Sequence, residues 1–87
     1  MTSRSVVVTI PDGLHARPAA LLARLAGAQP TPVTIRRPDG APVPADSVLS
    51  VLTLGLRPGD EVVLEADGPH AEAAVAALAE RLTAAAG

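Results

Sequence analysis

The chain has 87 residues, a formal net charge of −2, and no cysteine, phenylalanine, tyrosine or tryptophan. This length predicts a single domain, residues 1–87, whose core is built from valine, leucine, isoleucine and alanine. The acidic balance and the lack of aromatic residues argue against a nucleic-acid-binding module. Without cysteine, disulfides and thiolate metal sites are excluded, which fits a reducing cytoplasm.

Residues 1–10 are too few, and alternate too regularly, for a signal peptide. Apolar runs fall short of the roughly 20 residues that a membrane-spanning helix requires. Two histidines without a dense carboxylate cluster offer little material for a metal centre. We therefore expect a cytoplasmic monomer that inserts into no membrane, binds no nucleic acid, and needs neither metal nor cofactor.

The first part of the chain predicts a strand followed by a helix. Residues 5–10 alternate between apolar and polar, which is typical of a half-buried strand. Residues 11–13 break the strand, and residues 16–26 are strong helix formers, with Gly27 as the expected C-terminal cap. The apolar residues at helical spacing are Leu21, Leu22, Leu25 and Ala26.

A hairpin is expected next. Residues 32–37 predict a second strand, and Pro38-Asp39-Gly40 predicts a tight turn after it. Residues 41–45 would form the return strand. Because its two prolines cannot donate to a ladder, this strand must be very short or lie at the edge of the sheet.

The second half predicts a short helix, a strand and a long helix. Ser47 is expected to cap the short helix, which ends near Gly55 with Leu56 packed back onto it. Residues 61–66 alternate as a fourth strand with Val62, Leu64 and Ala66 inward. The last helix would be capped by Asp67 or Gly68, hold Pro69 in its first turn, and reach about Ala85. Its expected buried residues are Ala71, Val75, Leu78 and Leu82, with Glu72, Glu80 and Arg81 in solvent.

The most informative stretch is Gly13-Leu14-His15-Ala16-Arg17-Pro18-Ala19. It places a histidine at a helix N-terminus, where unpaired N–H groups and partial positive charge favour an anion, above all a phosphate. The same charge disfavours imidazolium, so His15 should be neutral and nucleophilic. Arg17 adds a guanidinium whose fork matches phosphate oxygens. Histidine is also a poor capping residue, which favours a functional interpretation over a structural one.

This stretch resembles the signature around the phosphorylated histidine of the histidine-containing phosphocarrier (HPr) family. The segment from Asp46 to Leu56, DSVLSVLTLGL, is similar to the family's second signature, around a regulatory serine. The resemblance covers essentially the whole chain. It implies an α+β fold, an open-faced β-sandwich of order β-α-β-β-α-β-α, with a four-stranded antiparallel sheet covered on one face by three helices.

The resemblance also implies a function. Family members accept a phosphoryl group from phosphoenolpyruvate through enzyme I, on the histidine Nδ1 (a pros-phosphohistidine), and pass it to IIA components for sugar uptake. They are substrates of phosphotransferases and not enzymes. Carried over, the acceptor is His15, and Arg17 together with the amides of Ala16 and Arg17 steadies the phosphate. The implied partner-binding residues are Ala20, Arg24, Val48, Leu49, Leu52 and Thr53.

Several alternatives remain open at this point. A paralogous carrier for another phosphorelay, in nitrogen regulation or dihydroxyacetone phosphorylation, would share the same motifs. A phosphohistidine phosphatase would need a further general acid or more phosphate ligands. Ser47 is implied as a site for a serine kinase and phosphorylase, although a capping serine is expected there anyway. His70 is interpreted as a surface residue, and Arg36 and Arg37 as ordinary strand and turn charges.

Overall fold

The computed structural model describes residues 1–11 and 13–83, which form four strands and three helices in the order β-α-β-β-α-β-α. The strands are β1 (Thr2–Val7), β2 (Val33–Arg36), β3 (Val43–Pro44) and β4 (Glu61–Ala66). The helices are α1 (Ala16–Gly27), α2 (Val48–Leu52) and α3 (Ala71–Leu82). The predicted order of elements is therefore confirmed. No helix within these residues is long and apolar enough to cross a membrane.

The strands make one antiparallel sheet in the order β1-β4-β2-β3. The last strand in the chain, β4, lies between β1 and β2, with Val6 opposite Val62 and Ile35 opposite Leu64. The proline-containing strand β3 spans two residues at the sheet edge, as its missing N–H donors predict.

One face of the sheet carries the hydrophobic core. Alternation along β4 buries Val62, Leu64 and Ala66 under the helices, as predicted. Val63 is also buried, on the opposite face, because Ser5 and Arg36 flank it on the two neighbouring strands. The largest fully buried side chains are Leu22, Ile35, Leu64, Leu78, Leu82, Val8, Val51, Val62 and Val75.

Two predictions about α1 are wrong. The helix continues through Gly27, and Ala28 is its C-cap. Leu21 does not face the core and is 40% exposed. The reason is that small residues fill the buried stripe at the expected spacing; the buried residues of α1 are Ala19, Leu22, Ala23 and Ala26.

The bounds of the other elements need smaller corrections. Strand β1 begins at Thr2 and ends at Val7, which is earlier than the predicted 5–10. Neither Asp67 nor Gly68 caps α3; the N-cap is His70, so that Pro69 precedes the helix. Helix α3 ends at Leu82, and the predicted extension to Ala85 lies partly outside the described residues. Arg81 is half-buried and not fully solvated.

Candidate functional site

The backbone that leads into α1 is held by the loop that follows α2. Gly13 has φ +75°, a conformation that favours glycine, and its N–H donates to the Ile10 carbonyl at 3.1 Å. A Cβ at Gly13 would lie 2.5 Å from the Leu56 carbonyl oxygen. The Leu14 N–H donates to that same oxygen at 3.1 Å, and the Leu14 side chain is buried. The chain therefore enters α1 by a fixed route.

His15 follows directly and is the N-cap residue of α1. Its backbone is extended, with φ −93° and ψ −167°, and its carbonyl accepts the first helical hydrogen bond, from the Ala19 N–H at 3.0 Å. Its side chain is exposed and makes no capping hydrogen bond to the described backbone. The imidazole is therefore accessible, because the residue caps the helix with its backbone alone.

The first turn of α1 is suited to an anion. Helical geometry leaves the first N–H groups without intrahelical acceptors, and Pro18 has none to offer. Ala16 and Arg17 thus direct their N–H groups out of the helix start, beside His15. The Arg17 side chain is exposed. A nucleophile, two amide donors and a guanidinium therefore lie within three consecutive residues, as predicted from the motif.

Helices α1 and α2 run in opposite directions. The Asp46 Cβ, just before α2, is 3.9 Å from where a Cβ would stand on Gly27, at the end of α1. The loop after α2 contacts the start of α1 through Leu56. Thr53, the C-cap of α2, consequently lies toward the His15 end of the helix pair, and Ser47 lies toward the other end.

The surface beside α1 and α2 is apolar and exposed. Leu49 is 75% exposed and Val48 is 37% exposed, whereas Val51, on the opposite side of α2, is fully buried. Leu21 on α1 adds to the exposed apolar area, and sequence reasoning missed it. The available signal was the spacing of Ala19, Leu22, Ala23 and Ala26, which already completes a buried stripe.

The remaining predicted binding residues occupy the same two helices. Ala20 and Leu52 are half-buried, and Arg24 and Thr53 are exposed. Ser47 caps α2 as predicted, since its Oγ accepts a hydrogen bond from the Ser50 N–H at 3.2 Å. The regulatory role of Ser47 stays a prediction. His70 is exposed, as predicted.

Arg36 and Arg37 make different contacts. Arg36 pairs with Glu65 at 3.1 Å on the open face of the sheet. Arg37 donates to the carbonyls of Leu54 and Gly55 and pairs with Asp60 at 3.2 Å. The prediction of an ordinary turn charge understates Arg37, because it joins β2 to the loop after α2.

Asp60 is the described group with a clear shift in acidity. The Arg57 N–H, which donates to its Oδ2 at 2.9 Å, and the Arg37 guanidinium lower the pKa of the Asp60 carboxyl. Partial desolvation opposes this shift without reversing it. The carboxylate is therefore charged wherever the protein works near neutral pH. Among residues 1–11 and 13–83, no group of three or more His, Cys, Asp or Glu side chains could hold a metal ion.

Comparison with known proteins places these features in a family. Residues 2–84 match the family model described as "PTS HPr component phosphorylation site". The chain is 50% identical over 80 residues to the phosphocarrier protein HPr of Streptomyces coelicolor, covering 92% of this chain and 86% of that protein. It is 36% identical over 75 residues to the phosphocarrier protein NPr of Escherichia coli, covering 86% of this chain and 83% of that one.

A solved structure shares the fold. The phosphocarrier protein HPr of Bacillus anthracis superposes with a TM-score of 0.87 at 32% identity, covering 93% of this chain and 95% of that one. The open-faced sheet with an exposed histidine at the start of its first helix is the architecture of a small phosphoryl carrier. The chain belongs to the HPr family, the phosphocarrier proteins of the phosphotransferase system.

Proposed function

We propose that this chain carries a phosphoryl group on Nδ1 of His15, received from phosphoenolpyruvate through enzyme I and passed to IIA components for sugar uptake. The observation that carries the proposal is the exposed imidazole at the start of α1, beside the N–H groups of Ala16 and Arg17. The chain acts in the cytoplasm as a monomeric substrate of phosphotransferases, not as an enzyme. Its 87 residues act as one HPr domain.

The chemistry is a reversible transfer at phosphorus. The Nδ1 lone pair attacks the phosphorus atom, a P–N bond forms, and the bond from phosphorus to the donor's leaving atom breaks. Transfer to a IIA component runs the same exchange in reverse. The phosphate oxygens accept hydrogen bonds from the Ala16 and Arg17 N–H groups at the positive end of α1, and the Arg17 guanidinium offsets their charge.

The test is incubation with enzyme I and phosphoenolpyruvate, followed by intact mass and phosphorus NMR. We expect a gain of one acid-labile phosphate with the resonance of a phosphohistidine, mapped by fragment mass to the peptide that contains His15. A protein that gains no phosphate, or gains it on another residue, contradicts the proposal. Parallel reactions with enzyme I of a paralogous relay show whether the chain serves sugar uptake or that relay.

The docking surface is proposed to consist of the exposed parts of α1 and α2. Its members are Ala20, Leu21, Arg24, Val48, Leu49, Leu52 and Thr53. Exposed apolar residues surrounded by polar ones are typical of a surface that meets partners. Leu21 and Leu49 provide most of its exposed apolar side chain, and Arg24 provides positive charge.

Leu49→Asp tests this surface. Because Leu49 is 75% exposed, the variant should keep its melting temperature within a few degrees while it slows transfer from enzyme I about tenfold or more, which corresponds to about 1.4 kcal/mol. Val7→Asp is the matched control, since Val7 is an exposed apolar residue on β1. A loss of several kcal/mol of stability in Leu49→Asp would show a core residue instead.

A further inference from the structure

The Arg37 guanidinium forms a junction between the end of β2 and the loop that follows α2. Its Nε and Nη2 donate to the Leu54 carbonyl at 3.0 and 2.7 Å. Nη2 also lies 3.1 Å from the Gly55 carbonyl oxygen and 3.2 Å from the Asp60 Oδ2. One side chain thus fixes both ends of the segment from Leu54 to Asp60.

That segment supports the backbone of the phosphorylation site. Its middle residue, Leu56, has a buried side chain, and its carbonyl accepts the Leu14 N–H at 3.1 Å. The same oxygen limits the space beside Gly13, where a Cβ would stand 2.5 Å away. The position of the Leu56 carbonyl therefore determines the route of the backbone into His15.

Arginine is suited to this junction in a way that lysine is not. A planar guanidinium presents several N–H groups in a fixed fork, and it retains its charge throughout the working pH range. The carbonyls of Leu54 and Gly55 follow the end of α2, where partial negative charge collects. Asp60 completes the junction by accepting from Arg37 and from the Arg57 N–H.

The acidity of Asp60 agrees with this arrangement. Arg57 and Arg37 lower the pKa of the Asp60 carboxyl from its ordinary value of 3.8, so the folded state favours the charged form. The resulting stabilisation is complete above about pH 3.8 and is lost as pH falls through the lowered value. The junction is therefore fully charged at neutral pH.

We propose that Arg37 is a positioning residue for phosphoryl transfer at His15, acting through the segment from Leu54 to Asp60 and the Leu56 carbonyl. The inference rests on the proposed function, in which His15 is the acceptor. Arg37 touches neither the phosphate nor the imidazole in this account. It keeps the His15 ring and the amides of Ala16 and Arg17 in the geometry that transfer requires.

The test compares Arg37→Gln with Arg37→Lys and uses Arg36→Gln as the matched control. Arg36 is the neighbour on β2 and pairs with Glu65 on the open sheet face. Each protein is phosphorylated by enzyme I in a single turnover, well below its melting temperature and at saturating enzyme I. We expect Arg37→Gln to transfer about five- to tenfold more slowly, within the roughly 100-fold that a 1 Å misplacement can cost. Arg37→Lys should be intermediate and Arg36→Gln unchanged.

Amide hydrogen exchange separates positioning from general destabilisation. In Arg37→Gln the Leu14 amide should exchange faster relative to the Leu64 amide in the central strand, and in Arg36→Gln the ratio should stay that of wild type. Equal saturated rates for Arg37→Gln and wild type overturn the inference. So does a slow rate that higher enzyme I restores, because Arg37 would then act in docking.

Asp60→Asn provides a second route if Arg37→Gln does not fold. It weakens the junction but leaves the Arg37 contacts with the Leu54 and Gly55 carbonyls. A two- to threefold slower saturated rate with faster Leu14 exchange supports the inference, and a wild-type rate overturns it. If wild-type protein gains no phosphate on His15, the proposed function itself fails, which is a different result from equal rates in phosphorylated variants.

Discussion

Helices α1 and α3 begin in the same way and differ in what surrounds the start. Each spans 12 residues, each has a histidine as N-cap, and neither histidine side chain makes a capping hydrogen bond to the described residues. Each histidine follows two residues after a glycine of positive φ, +75° at Gly13 and +93° at Gly68. A histidine at a helix start is therefore not by itself a site, and its neighbours decide what it does.

The neighbours differ in packing and in charge. Gly13 abuts the Leu56 carbonyl, whereas no described atom comes within 4 Å of a Cβ placed on Gly68. The first turn of α3 holds Glu72, which neutralises the positive end of its own helix. The first turn of α1 holds Arg17 instead, which adds positive charge. Only the start of α1 is both fixed in position and left in need of an anion.

The largest expected difference is in phosphorylation by enzyme I and phosphoenolpyruvate. His15→Ala should gain no acid-labile phosphate in intact mass, because the nucleophile is gone. His70→Ala should gain one phosphate at the wild-type rate. A phosphate that persists in His15→Ala, or disappears in His70→Ala, would remove the distinction between the two helix starts.

Packing predicts the second difference, in the free energy of unfolding. Gly68→Ala should cost about 1–2 kcal/mol, the penalty for a side chain in the left-handed region. Gly13→Ala should cost about 2–5 kcal/mol, since overpacking adds about 1–3 kcal/mol to that penalty. Urea denaturation of both variants measures the two values. Equal losses would mean that the Leu56 carbonyl moves aside easily and does not fix the route into His15.

Charge predicts a third difference, smaller in energy and opposite in sign. Arg17→Gln removes a positive charge from the positive end of α1 and should stabilise the fold by about 0.3–1 kcal/mol. Glu72→Gln should destabilise it by a similar amount, about 0.3–1 kcal/mol. Denaturation curves at low salt measure both effects. Arg17→Gln should nevertheless slow phosphorylation, since it exchanges stability for an anion site.

An Arg17→Gln protein that is less stable than wild type, or is phosphorylated at an equal rate, would contradict this account. The slower rate should also depend less on salt than the wild-type rate does, because one charge is missing from the approach of the phosphate. Glu72→Gln serves as the control, and its phosphorylation should match wild type at every salt concentration.

Local patterns predicted much of the fold. Strand β4 lies at the predicted residues 61–66, and Ser47 caps α2, because alternation and capping depend on near neighbours in the chain. Leu21 was misplaced because a leucine was expected to take a core position that alanines fill. The cap of α3 was assigned to Asp67 or Gly68, since histidine is rarely chosen for that position.

The site was predicted only as far as its residues are adjacent in sequence. The segment from Gly13 to Ala19 indicated a nucleophile beside an anion-binding helix start. It could not indicate that the Leu56 carbonyl holds Leu14, or that Arg37 holds the loop that carries Leu56. These contacts join distant parts of the chain, and no local pattern of residue types encodes them.

The start of α2 sharpens the comparison, because there the capping side chain does engage the helix. The Ser47 Oγ accepts from the Ser50 N–H at 3.2 Å, so this helix start satisfies one of its own N–H groups. Ser47→Ala should therefore cost about 1 kcal/mol in the free energy of unfolding. Ser47→Asp should cost less, because a carboxylate also caps and suits the positive end of the helix.

Ser47→Asp should nevertheless slow phosphorylation of His15, and this is the smallest effect we expect. Helix α1 places Gly27, beside Asp46, about 18 Å along its axis from its start, so the added charge acts on docking and not on the imidazole. Asp46 already carries a negative charge there, which limits the change. We expect a two- to threefold slower rate at low salt, where charges are least screened. Ser47→Asn is the uncharged control, and if it slows transfer as much as Ser47→Asp, the shape of the cap is responsible and charge is not.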